Sequence, residues 1–171
     1  MTRRTVVVRM LAVVTALLLP CAAPAVADTH VSWLDPYVPA NGVEATYSQP
    51  GPWAVTAQKA FGCCDSTGAA YDLWYPADLG VGGFRHPIIT WGDGTFAVPS
   101  QYDSLLAHLA SWGFVVIATE NQQTGSGVDI AGAADFLLRQ ADDPASVFHN
   151  HVDPNAIGAM GHSPGPERSM P

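Results

Sequence analysis

Four short apolar runs, at residues 71–75, 87–91, 114–119 and 156–160, punctuate the chain, and each is bounded by Gly, Pro, Asp or Asn. Runs of this length between turn residues predict β-strands. The second and third are almost continuously apolar, as expected of strands covered on both faces. The first alternates more and contains Asp72, which predicts an edge position.

Between the second and third runs the apolar residues change period. Tyr102, Leu105, Leu106, Leu109 and Trp112 recur at helical spacing and predict one buried face. Ser100, three residues before Asp103, is placed to cap the first turn, and Gly113 is placed to end the helix in a left-handed conformation. A second helix is predicted over residues 128–141, burying Ile130, Ala134, Leu137 and Ala141. Gly132 lowers its propensity, so packing has to hold it, and Pro144 limits its extension. Strands that alternate with helices in this way predict an α/β domain with a mainly parallel sheet flanked by helices. Residues 28–52 are rich in Pro, Gly and Asn without a sustained period and predict an irregular lead-in, so the domain is taken as residues 53–171.

The first residues alter the size of that domain. Arg3, Arg4 and Arg9 flank an apolar run over residues 10–19, followed by Pro20 and by Ala25-Val26-Ala27. This is the pattern of a secretory signal peptide over residues 1–27, cleaved before Asp28, and the run is too short for an ordinary transmembrane helix. The expected product is therefore secreted, without a stable membrane anchor. Cys21 and the Arg3-Arg4 pair leave the export route open. Cleavage removes three of seven basic residues and none of the 15 acidic ones, which leaves a net charge of −11. A surface that acidic repels phosphate backbones and anionic membranes, so no nucleic-acid partner is expected. Cys63 and Cys64 are adjacent and destined for an oxidising compartment, where a vicinal pair, free thiols or other partners all stay open.

Chemistry enters at the last apolar run. It leads straight into Gly161-His162-Ser163-Pro164-Gly165, a match to G-x-S-x-G. In a nucleophile elbow the serine sits on a tight strand-to-helix turn, where glycines two residues to either side avoid clashes that a Cβ would create. Ester hydrolysis also needs N–H donors aimed at the oxyanion that develops on the attacked carbonyl. The segment Trp91-Gly92-Asp93-Gly94-Thr95-Phe96 follows the second strand and precedes the first helix, and the Thr95 backbone N–H is the candidate donor.

With those residues in view, the stretch from Trp53 to Gly165 resembles the bacterial cutinase-like esterases and polyester hydrolases of the α/β-hydrolase superfamily. The resemblance rests on Asp72-Leu73-Trp74-Tyr75-Pro76, on Gly94-Thr95 after an apolar strand, on Leu109-Ala110-Ser111-Trp112-Gly113-Phe114-Val115-Val116, and on Val152-Asp153-Pro154-Asn155 leading to Met160-Gly161-His162-Ser163. It implies Ser163 as nucleophile, an oxyanion donor at Thr95, no cofactor, and carboxylic esters as substrates, small or polymeric. His162 is the variable residue of the motif and is assigned no catalytic role.

The chain departs from that pattern in two places. The residue after the nucleophile, whose N–H serves the family as second donor, is Pro164, which has none. Loss of one such donor typically costs ~100 to 1,000-fold in turnover. In this fold the triad acid and base follow the serine, yet residues 164–171 include neither Asp nor His, and Glu167 is too close to orient a distant histidine. The tail is also too rich in Pro and Gly to form the helix that should follow an elbow. The expectation is an incomplete α/β-hydrolase fold with its C-terminal part missing, through a frameshift or premature stop near Pro164, with an exposed strand edge and little or no activity.

Two other readings have sequence support. His149-Asn150-His151-Val152-Asp153 has the H-x-H-x-D form that can place imidazole and carboxylate around zinc. A binding protein on a hydrolase-like scaffold is the other, since a fold does not dictate its function.

Overall fold

In the computed structural model, residues 41–162 are described. The expected leader, residues 28–40 of the lead-in, Ser163, Pro164, Gly165 and the tail to Pro171 lie outside the described residues. Eight elements order the described chain: α1 (Gly42–Tyr47), β1 (Val55–Gly62), β2 (Tyr71–Pro76), β3 (His86–Gly92), α2 (Asp103–Ser111), β4 (Val115–Thr119), α3 (Val128–Asp142) and β5 (Val152–Gly161), with short 3-10 turns at Val81–Gly83 and Pro99–Tyr102. The five strands form one sheet in the order β1-β2-β4-β3-β5. The β1/β2 and β2/β4 pairs are antiparallel, whereas β3 runs parallel to both β4 and β5. The α/β class holds, but the sheet is mixed rather than mainly parallel among the described residues.

Side-chain alternation along the central strands builds two cores. On one face Leu73, Ile88, Val115 and Ile117 pack with Ala133, Phe136 and Leu137 of α3. On the other, Trp74, Ile89, Trp91, Val116 and Ala118 pack with Leu106 and Ala110 of α2. The two helices therefore cover opposite faces, which is why every residue of β4 is buried and why that run carries no alternation in the sequence.

Several expectations change in physical terms. β2 is not an edge strand: it lies between β1 and β4 with all six residues buried. Asp72 is tolerated there because Lys59 Nζ lies 3.2 Å from Oδ2 and the Ala60 N–H donates to Oδ1 at 2.8 Å. The true edge on that side is β1, whose central residues are exposed, so its polar composition gave no strand signal. The lead-in is not wholly irregular, since Asn41 caps the short α1 by accepting the Glu44 N–H at 2.9 Å.

In α2 the predicted cap does not form. Ser100 lies within the preceding 3-10 turn, and Asp103 opens the helix while its carboxylate holds Lys59 at 2.7 Å. Leu105 is exposed, and the buried stripe runs instead through Leu106, Ala110 and Ser111. Gly113, at φ 97°, ends this helix as expected. In α3 the buried stripe is Asp129, Ala133, Phe136 and Leu137, one position round from the expected Ile130, Ala134 and Ala141, which are only half-buried. Gly132 brings that helix against the Tyr71 hydroxyl, where a Cβ would lie 3.4 Å away. Cys63 and Cys64 are joined as a vicinal disulfide.

Candidate functional site

The chain leaves β3 towards α2 on one face of the sheet and leaves the adjacent β4 towards α3 on the other. Connections that diverge from neighbouring parallel strands open a crevice at their carboxyl ends, where α/β sheets usually bind ligands. Both segments singled out in the sequence arrive there. β3 ends at Gly92, immediately before Asp93-Gly94-Thr95-Phe96, and β5 ends at Gly161, one residue before His162.

The parallel register pairs Gly92 with Gly161. The His162 N–H donates to the Gly92 carbonyl at 3.0 Å and extends the ladder by one bond. This contact explains one glycine of the motif: a Cβ on Gly161 would come within 2.7 Å of the Gly92 oxygen. Any larger residue pushes the two strand ends apart. The spacing thus carries the chain to within one residue of Ser163 beside the Gly94 turn, while Ser163, Pro164 and Gly165 themselves lie outside the described residues.

The loop after β3 is braced from the loop after β4. Thr124 Oγ1 donates to the Asp93 carbonyl at 2.7 Å, and the Phe96 N–H donates to the Gln122 carbonyl at 3.0 Å. Phe96 holds φ at 66° with its ring three-quarters exposed, a conformation disfavoured for a residue with a Cβ. Among the described residues the Thr95 N–H has no acceptor. Within the described residues it is a donor fixed by its neighbours and without an acceptor, the arrangement that stabilisation of a developing oxyanion would require.

Tyr102 links the two halves of the crevice. Its hydroxyl lies 2.8 Å from His162 Nδ1 and 3.4 Å from the Gly94 nitrogen, and its ring tilts against Trp91. His162 is therefore oriented by Tyr102, a positioning contact that the sequence reading did not assign. Tyr102 was placed only on an apolar helix face; its hydroxyl, which usually seeks a partner when part-buried, was the available signal.

Asp93 was missed as well. It is 2 % exposed, its Oδ1 accepts the Trp91 indole N–H at 2.9 Å, and its Oδ2 has no partner among the described residues. Burial pushes its carboxyl up to about 6, the nearby Asp72 charge adds to this, and the Trp91 hydrogen bond and Lys59 oppose it. A cavity of about 380 Å³ at the same end of the sheet is lined by Lys59, Asp72, Val98, Pro99, Ser100 and Glu120. Neither Thr95 nor His162 lines it, so it is separate from the crevice.

The zinc reading is not supported. His149 Nδ1 engages the Ala141 carbonyl at 3.0 Å, whereas His151 Nδ1 engages the Val147 carbonyl at 3.1 Å. Among the described residues no group of three or more His, Cys, Asp or Glu could hold a metal ion, so His149, His151 and Asp153 do not form a centre. The motif is instead the turn into β5, where the His151 carbonyl accepts the His86 N–H at 2.8 Å. No protein-family model matches this chain, and neither does any curated protein.

Proposed function

We propose that this chain carries the nucleophile and oxyanion side of a secreted serine ester hydrolase of the cutinase-like, α/β-hydrolase type. Ser163 is the nucleophile, and the Thr95 N–H donates to the oxyanion of a carboxylic ester. The observation that supports this reading is the Gly92–Gly161 register, which sets a strand ending two residues before Ser163 against a loop in which the Thr95 N–H has no acceptor among the described residues. An ordinary Gly-Ser turn does not call for such an arrangement.

Pro164 supplies no second donor, and within residues 164–171 no Asp or His can act as triad partner. His162, whose Nδ1 is engaged by the Tyr102 hydroxyl, is assigned no catalytic role. An unassisted serine hydroxyl is a weak nucleophile at neutral pH, so turnover at Ser163 requires a general base that residues 164–171 do not supply.

The test is hydrolysis of a short chromogenic ester by the purified chain, with Ser163→Ala as control. No turnover above that control is expected from the chain alone, and serine-dependent turnover is expected once a continuation bearing an acid and a histidine is joined to it. Serine-independent activity in both would remove Ser163 from the reaction and defeat the reading.

A further inference from the structure

The carboxyl of Asp93 is buried at the root of the loop that presents Thr95, yet only one of its two oxygens is bonded. We propose that Asp93 is a positioning residue whose proton decides whether this loop stays closed over the crevice, with its neutral form holding the loop and its ionised form releasing it. The proposal rests on the esterase reading for its purpose, but not for its physics.

Three contacts place Asp93 in control. Its carbonyl is clamped by Thr124 Oγ1, its Oδ1 by the Trp91 indole, and the very next residues are Gly94, whose nitrogen faces the Tyr102 hydroxyl, and Thr95. Movement of Asp93 moves the donor. The Trp91 N–H is satisfied by either protonation state of Oδ1, so the two states differ at Oδ2, which faces no donor among the described residues. A buried oxygen bearing charge without a donor costs far more than a neutral one. The charged groups around it worsen the balance. Asp72 on β2 repels the ionised form, Lys59 on β1 attracts it, but Lys59 is shared with Asp72 and with Asp103 of α2. Glu120, just beyond β4, is likewise pushed up by burial and by Asp72, the carboxylate that also repels ionised Asp93. The next residue, Gly94, faces the Tyr102 hydroxyl, which in turn lies 2.8 Å from His162 Nδ1. Under this proposal ionisation is relieved by letting water reach Oδ2, with the loop opening at the bond from the Phe96 N–H to the Gln122 carbonyl.

The latch is read by nuclear magnetic resonance on the full chain. The Trp91 indole N–H resonance is followed through the pH range, and so is amide exchange at Phe96. The expected result is a sigmoidal shift of the indole signal with its midpoint about 6. Phe96 should lose about tenfold in protection above that midpoint, beyond the intrinsic rise of exchange with pH. Asp93→Asn, which keeps an acceptor for Trp91 and removes the charge, should abolish the shift and keep Phe96 protected at high pH. His162→Asn should leave the shift in place.

A flat indole signal in the wild-type chain, or the same shift in Asp93→Asn, overturns the proposal. If Asp93→Asn does not fold, the Asp93 carboxyl carbon of the wild-type chain decides alone, and titration at the ordinary carboxylate value overturns it. A latch that titrates as described, in a chain extended as above that hydrolyses no ester, sinks the esterase reading and leaves the latch standing.

Discussion

The two ends of β3 solve the same problem in opposite ways. At its amino end His86 is fully buried, with Nδ1 2.8 Å from the Gly113 carbonyl and Nε2 accepting the Gly80 N–H at 3.3 Å. The rings of Trp53 and Phe84 pack edge-on against it. Both ring nitrogens are matched. At the carboxyl end Asp93 leaves one oxygen unmatched, Thr95 leaves its N–H unmatched among the described residues, and Phe96 holds a disfavoured backbone angle. Natural sequences break local rules mainly where function demands it. One end of the strand matches its buried polar groups, and the other leaves them unmet among the described residues, as the proposed site would require.

The largest break in this contrast comes from His86→Ala. It empties a buried site and strands both the Gly113 carbonyl and the Gly80 N–H, and a loss of about 2–4 kcal/mol is expected from the denaturant midpoint. Next is Gly161→Ala, whose Cβ would strike the Gly92 carbonyl. It should cost about 1–3 kcal/mol and displace His162 from Tyr102. Gly158→Ala on the same strand meets open space and should stay within about 0.5 kcal/mol, which separates the close approach from a general effect of strand glycines.

The smallest effect is a pair of opposed pH dependences. Burial lowers the pKa of His86 below its ordinary 6.5, so its contribution to stability is complete above that value and is lost as pH falls through the lowered one. Asp93 is raised from 3.8 to about 6, so its contribution is complete below 3.8 and is lost as pH rises through about 6. Stability followed by thermal melts across this range should therefore sag on both sides. Asp93→Asn should flatten only the alkaline side, and a melt profile that keeps its alkaline sag in that variant contradicts the assignment.

How much of this was legible in the sequence follows the same division. The four apolar runs each became strands, and Gly113 ended its helix, because continuous burial and left-handed turns leave direct marks on residue choice. β1 left none: its exposed centre, Gln58-Lys59-Ala60, is chosen for its solvent side and for the pair with Asp72. That same pair made a central strand resemble an edge. The helical stripes were misplaced by about one position because Leu105 and Ile130 are apolar yet face outward or only half inward, and spacing alone does not weigh one leucine against its neighbour. At the candidate site, Thr95 and Gly161 could be named from local chemistry. Tyr102, Thr124 and Gln122 could not, since their partners lie on other loops and meet only when the sheet is assembled.

The strand order has a consequence for how the crevice comes into being. β3 occupies a position between two strands that are both synthesised after it, β4 and then β5. In chain order β3, α2 and β4 make one parallel unit, and the segment carrying Gln122 and Thr124 follows directly and bonds to the Asp93–Phe96 loop. β5, last of the five along the chain, takes the other side of β3. Every described bond that braces the Asp93–Phe96 loop from the β4 side is thus encoded ahead of the strand that leads to Ser163.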